Sequence, residues 1–286
     1  MSSSDPRPIA IVTDSTADIP PELIEEYGIH VVPQILIMGD KTWRDRVDID
    51  SPTFYELLKT SSRFPSTSQP SATEFSDLFT RLAVDSAGIV AVLVSNEFSG
   101  TLSSARTAAA NLPDIPIEIV DSRATSMQLG FTTLVAARVA AQGGSLEEVA
   151  VAAQARVGRV HVYFLVDTLE YLHRGGRIGG AAKLVGSALN LKPILEIRDG
   201  IITPLTRVRT RRKALEKLHE LLDEHLASQD QIHMAVLHVA AADEAARLMA
   251  ELDARFDPIE MIASECSPVI GAHAGPGTVG VAFYSE

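Results

Sequence analysis

The sequence predicts an α/β protein in two parts: an N-terminal, mostly parallel α/β sheet domain and a C-terminal α+β domain with a mixed or antiparallel sheet. Three observations carry this. Short apolar runs alternate with helix-period segments as far as about residue 158, the pattern of a parallel sheet. Beyond that point an Asp199-Gly200 pair sits between two β-rich runs, a hairpin signal. A chain of 286 residues, 46% hydrophobic and 22% charged, can bury a large core without staples.

Taken in order, IAIVTDS (9–15) reads as a buried strand, and PPELIEEYG as a short helix with prolines at its start and glycine at its stop. IHVVPQILIM is one extended run, with Pro33 marking an edge position. SPTFYELLKT is a helix with Ser51 as N-cap and Pro52 at N1. FPSTSQPSATEF (64–75) is a proline-restricted loop entering the helix SATEFSDLFTRLAVDS. GIVAVLVS and IEIVDS are strands on either side of the helix TLSSARTAAANL, and a helix follows from about Ser126 to Ala141. The next helix opens with a capping box, Ser145 to Glu148. In the second half HVYFLVD is a strand, HRGGRIGG a glycine-rich loop, KPILEIRDGIITPLTRV a hairpin and RRKALEKLHELLDEHLA an amphipathic helix. The remainder reads strand, helix, strand, strand: IHMAVLHVA, ADEAARLMAELDARF, IEMIASE and GTVGVAFY.

Bulk properties exclude several functions. A net charge of −12 argues against binding nucleic acid over a broad surface. The single cysteine, Cys266, permits no internal disulfide and suits a reducing, cytoplasmic compartment. MSSSDPRP lacks the apolar core of a secretory leader. The stretch from Leu129 to Ala141 is too short to span a bilayer.

Hydroxyl residues gather at three strand ends: Thr13 to Thr16, Ser95 with Ser99-Gly100-Thr101, and Asp121-Ser122. Ligands of α/β sheets bind at such ends, where helix N-termini offer free N–H groups, although the same residues also serve as helix caps. Thr67 and Ser68 could add donors, or simply form a capped turn. GPGTVG (275–280) fits G-x-G-x-x-G but lacks the helix and the later acidic residue of a dinucleotide site. Its glycines point instead to close backbone approach to another group. His273 could be structural, a base or a ligand donor. Glu170/His173 and Glu216/His219 have E-x-x-H spacing without further carboxylates, so no metal is expected. No serine has the G-x-S-x-G context of a hydrolase, and no cofactor is implied. RVRTRRK (207–213) is a basic run on an acidic chain, either a solvated helix start or a docking patch.

TDSTADIP, FPSTSQPS, SGTLSSA, VDS, YLHRGGRIGG, KPIL and GAHAGPGTVG occur in an order and at spacings that resemble the DegV family, from about Ile9 to Tyr284. The chain departs from that pattern at Ala72, Gln128 and Ala274, where proline, glycine and threonine are expected. The resemblance implies a DegV-like fold of two α/β domains, 1–158 carrying the head-group loops and 159–286 housing an acyl chain. It also implies a long-chain fatty acid at the domain junction, in a binding subunit that presents the carboxylate to a separate fatty-acid kinase catalytic subunit for acyl-phosphate formation. Such a subunit would not itself be an enzyme, and a transient membrane contact is compatible with the role. On that pattern Thr67, Ser68, Ser99, Gly100, Thr101 and His273 would bind the ligand, with Arg177 near the head group or the docking face. Arg207, Arg209 and Arg211 would dock the partner. The alternatives are a stand-alone small phosphotransferase or hydrolase using His273 and Ser99, or a lipid-sensing regulatory protein.

Overall fold

The computed structural model describes residues 7–185 and 191–286; the first six residues of the MSSSDPRP stretch lie outside them. The chain runs β1 (Ile9–Asp14), α1 (Pro21–Glu26), β2 (His30–Val32), β3 (Ile35–Met38), β4 (Lys41–Arg44), α2 (Ser51–Thr60), β5 (Ser66–Ser68), α3 (Ala72–Leu82), β6 (Gly88–Leu93), α4 (Thr101–Ala110), β7 (Ile117–Asp121), α5 (Ser126–Ala141) and α6 (Leu146–Arg156). It continues with β8 (His161–Leu165), α7 (Glu170–Arg174), β9 (Lys192–Arg198), β10 (Ile201–Val208), α8 (Arg211–Leu226), β11 (Ile232–His238), α9 (Ala242–Phe256), β12 (Glu260–Glu265), α10 (Pro268–Ala274) and β13 (Val279–Ser285).

The first half builds a parallel sheet in the order β2-β1-β6-β7. The second builds a six-stranded sheet, β10-β9-β8-β13-β11-β12, antiparallel at every pairing except β11 with β12. A small antiparallel sheet, β4-β3-β5, completes the set. The parallel-then-mixed expectation therefore holds.

Side-chain alternation sets the layers. In the first sheet Ile9, Ile11, Val90 and Val92 face a central core, while Ala10, Val12, Ile89 and Ala91 meet Phe75, Phe79, Leu102 and Ala105 of α3 and α4. In the second, Val162, Phe164, Leu237 and Ala282 face that same central core. Their neighbours Tyr163, Leu165, Val236 and Val281 pack on Leu218 and Leu222 of α8 and Leu248 and Leu252 of α9. Helix α5 fills the space between the sheets and touches strands of both: β1 and β6 on one side, β8, β11 and β13 on the other. It is buried from Ser126 to Leu134 without a break, which explains why its sequence shows no polar face.

The hairpin is as expected: Asp199 and Gly200 both have positive φ (54° and 83°), the requirement of a type I′ turn. Its tip docks on the end of β6, where Ser95 Oγ donates to the Gly200 carbonyl at 3.1 Å and Arg123 donates to that of Asp199 at 2.9 Å. The Ser145–Glu148 capping box is present.

Several expectations are corrected. Pro33 does not sit within one strand; it separates β2 from β3, which belong to different sheets. The β4 strand is exposed apart from Trp43, which packs on the central core, and a single apolar residue makes no alternation to betray it. The cap of α2 is Asp50, which accepts from Thr53 N–H at 2.9 Å, and Ser51 is the first helical residue. A helix, α10, lies between β12 and β13: Ser267 caps it and Pro268 occupies its first turn.

Gly130 marks a close approach of α5 to the loop after β1. A Cβ there would come within 2.7 Å of the Ala17 carbonyl and 2.9 Å of Met127 Sδ. Alanine improves helix propensity by about 1 kcal/mol, but the steric conflict is partly with backbone. Gly130→Ala is therefore expected to lower stability by roughly 1–3 kcal/mol in urea unfolding; an increase would show that α5 can shift.

Candidate functional site

The loop expected around Thr67 is a strand. Segment β5 pairs with β3 in the register Leu36↔Thr67, so the backbone fixes the direction of the Thr67 side chain. Facing it is the last turn of α10, where His273 Nε2 lies 2.8 Å from Thr67 Oγ1. His273 thus sits on a helix, and the glycines act around it. Gly275, with φ 82° and ψ 157°, ends α10 in a conformation open to glycine. A Cβ on Gly271 would strike the Tyr55 ring at 2.4 Å, and one on Gly175 would strike His273 Nδ1 at 2.2 Å. Thr278 closes the helix end by donating to the carbonyls of Ala274 at 3.0 Å and Gly275 at 2.8 Å.

A second group of hydroxyls stands at the N-terminus of α4. Ser99 Oγ and Thr101 Oγ1 are 2.8 Å apart, and the buried Gln34 amide donates to Thr101 Oγ1 at 2.8 Å. Gly100 is the N-cap and supplies no capping side chain; a Cβ on it would press on the Gln69 amide at 3.0 Å. Arg177 reaches in from the segment after α7, donating to the carbonyls of Phe98 at 2.9 Å and Gly175 at 2.8 Å.

These groups rim one cavity between the sheets, enclosing about 900 Å³ of empty space including its open mouth. Thr67, Ser68, Ser99, Arg177 and His273 line it, joined by Gln34 and Gln69. The rest of the wall is largely apolar: Val94 and Phe98 from the first half, and Val162, Phe164, Ile197, Ile202 and Leu237 from one face of the six-stranded sheet. An apolar cleft with a few convergent polar groups is the form of a small-molecule site.

Of the residues singled out in the sequence, Thr67, Ser68, Ser99, His273 and Arg177 therefore meet at one place, and Gly100 and Thr101 stand directly behind it. The β1 end contributes less: Asp14 accepts from Thr16 N–H and Oγ1, and Ser15 Oγ donates to Asp45, so these are mainly caps and braces, although Thr16 also lines the cavity. The side chains of Asp121 and Ser122 bond within their own turn. Gln34 carries no sequence signal, since a polar residue between two strands ordinarily faces water. Arg207 and Arg209 are exposed. Arg211 differs from them: it is paired with Glu244 and Asp167 and donates to the Gly277 carbonyl at 2.7 Å, which ties α8 to α9 and to the loop before β13. Among the described residues no group of three metal-ligating side chains converges, and no helix is long and apolar enough to cross a membrane.

Burial, and then the nearby Arg177 charge, lower the His273 pKa to about 4. The ring is therefore neutral at pH 7. Its Nδ1 is buried without a partner, which favours the tautomer with hydrogen on Nε2, donating to Thr67 Oγ1 and leaving the Thr67 proton for the cavity.

Residues 8–286 match the family model described as "Uncharacterised protein, DegV family". The chain belongs to the DegV family. A DegV domain-containing protein of Streptomyces coelicolor is 41% identical over 282 residues, covering 98% of this chain and 99% of its own. Among solved structures, a DegV family protein from Thermus thermophilus described for its fatty acid binding superposes with a TM-score of 0.92 at 33% identity, covering 98% of this chain and all of that one. DegV of Bacillus subtilis, described as a fatty acid binding protein, gives 0.90 at 35% identity with the same coverage.

The folded pKa of His273 lies below the ordinary 6.5, so the unfolded chain binds the proton more readily. Its contribution to stability is complete above pH 6.5 and is lost as pH falls through 4. Between pH 7 and 5 that loss amounts to roughly 2 kcal/mol. Urea unfolding at the two pH values should show His273→Asn less acid-sensitive than the parent by about that amount; equal sensitivity would contradict the assignment.

Proposed function

We propose that this chain binds a long-chain fatty acid in the cavity between its sheets and presents the carboxylate to a separate kinase subunit for acyl-phosphate formation. The observation that carries this reading is the division of one cavity into a polar rim and an apolar interior. At the rim, Thr67 and Ser99 offer donors, the N-terminus of α4 stands directly behind Ser99, and Arg177 adds positive charge. A carboxylate leaving water needs several such donors, and a helix N-terminus favours its charge. Inside, each buried CH₂ contributes about 0.8 kcal/mol, so a sixteen-carbon chain gains roughly 12 kcal/mol before ordering costs. The fatty-acid-binding descriptions of two structures at 33% and 35% identity support the same ligand class.

The delivery role rests on the arrangement of these same groups. The hydrogen-bond partner of Ser99 is Thr101 and that of His273 is Thr67, so no nucleophile–base pair joins Ser99 to His273. The Thr67–His273 pair lacks the third group that would orient the imidazole, because Nδ1 has no partner. Arg207 and Arg209, exposed on β10 and just after it, are the groups we assign to kinase docking, with Arg211 bracing the helix that follows.

Mass spectrometry of an organic extract of the purified protein is expected to show a fatty acid near one per chain; protein that neither carries nor takes up a fatty acid would remove this reading. Thr67→Val and Ser99→Ala are each expected to weaken fatty-acid binding by about tenfold, because a carboxylate loses one donor. Arg209→Glu is expected to leave that affinity unchanged while slowing kinase-coupled acyl-phosphate formation, most strongly at low salt. Isothermal titration and a coupled turnover assay separate the two effects; loss of lipid binding in Arg209→Glu would place the docking face wrongly.

A further inference from the structure

Gln34 lies in the two-residue link between β2 and β3. Its side chain is only 3% exposed, yet it forms part of the cavity wall. The backbone is pinned on both sides: its N–H donates to Ser15 Oγ at 3.0 Å and its carbonyl accepts from Asp45 N–H at 2.9 Å. The direction of the side chain is therefore set by the fold. Its Nε2 donates to Thr101 Oγ1 at 2.8 Å. Burial raises the pKa of the neighbouring Asp14, and hydrogen bonds from Thr16, Val94 N–H and Gln34 oppose it. Ionised Asp14 can only accept, which favours the Gln34 NH₂ on its side, in keeping with the shorter Nε2 contact to Thr101 Oγ1.

This sets the first link in the order of protons at the rim. Thr101 Oγ1 receives one from Gln34, and its own hydrogen can go to Ser99 Oγ at 2.8 Å or to Gln34 Oε1 at 3.2 Å. The Ser99 oxygen also accepts from Thr101 N–H at 3.3 Å. When an acceptor-only group occupies the rim, each bond can point the same way: Gln34 Nε2–H to Thr101 Oγ1, Thr101 O–H to Ser99 Oγ, and Ser99 O–H to the ligand. Bonds aligned in one direction polarise one another. A fatty alcohol carries a donor of its own and no charge, and gains less from such a row.

We propose that Gln34 is a positioning residue that determines specificity: acting through Thr101 and Ser99, it makes the rim prefer an ionised carboxylate to an uncharged head group on the same acyl chain. This rests on the reading of the cavity as an acyl site. A residue needed only for packing would affect both ligands alike.

The test is a set of dissociation constants for hexadecanoic acid and 1-hexadecanol at neutral pH, measured on the full chain, on Gln34→Met, on Thr101→Val and on the double variant, with thermal melts alongside. Methionine keeps the shape of glutamine without its donor; if Gln34→Met does not fold, Thr101→Val breaks the same row one link later. The parent should prefer the acid. Each single variant should weaken acid binding by about three- to tenfold, the span of one net hydrogen bond, and leave alcohol binding within about twofold. The double variant should be no weaker than the weaker single, because the residues act as one unit. An unchanged acid-to-alcohol ratio in folded variants, or strictly additive losses, would overturn the proposal while leaving the acyl site intact. A parent that binds neither ligand would instead overturn the acyl reading, and the proposal with it.

Discussion

The burial of α5 between two sheets is the constraint on which the rest depends. A helix that is apolar on every side must be covered on every side, and here each sheet supplies one cover. The parallel sheet and the six-stranded sheet are thereby held a helix diameter apart. Where α5 begins, at Ser126, the space between them is filled by neither helix nor sheet, and the cavity opens there, with Thr125 and Ser126 in its wall. The site is thus a consequence of layering: one helix is too short to fill the whole gap between two sheets.

The chemistry at the rim follows from where that gap ends. The carboxyl ends of β1 and β6 bring Thr16, Val94 and Ser99 to it, and the small β4-β3-β5 sheet brings Thr67. The six-stranded sheet brings Phe164 and Leu237, while α10 returns the chain so that His273 meets Thr67. Donors from segments more than 200 residues apart in sequence, such as Thr67 and His273, can therefore share a ligand. Behind them lies a second polar layer. Asp18 accepts from Ser126 Oγ at 2.7 Å and from Ser267 N–H at 2.8 Å, and pairs with Arg46; Asp45 holds Ser15. Burial raises the Asp18 pKa and the Arg46 charge opposes it; burial likewise brings Asp45 to about 7. These groups lock the loop after β1 to the start of α10, so the rim is positioned by satisfied bonds.

Much of the fold was legible in the sequence for physical reasons. Strands such as IAIVTD and GIVAVL are buried on both faces and read as continuous apolar runs, and the Asp199-Gly200 turn needs the two residues best able to adopt positive φ. The strands β4 and β5 were not legible, because KTWR and STS lack apolar alternation and take their strand form from pairing with β3. Helix α10 was obscured by its glycines. Gly271 is there to let Tyr55 in, so the helix carries a residue that ordinarily argues against one. At the site, Thr67, Ser99 and His273 could be found because hydroxyls and glycines near strand ends suggest ligand contact. Gln34 could not, since its importance lies in a long-range contact with Thr101 across 67 residues.

The most direct test of the central claim is a crystal structure with hexadecanoic acid bound. The geometry predicts the carboxylate within hydrogen-bond distance, about 2.5–3.2 Å, of Thr67 Oγ1 and Ser99 Oγ, with the chain running past Phe164 and Leu237. A carboxylate against Ser126 and Cys266 instead, or an acyl chain bound outside the space between the sheets, would contradict it.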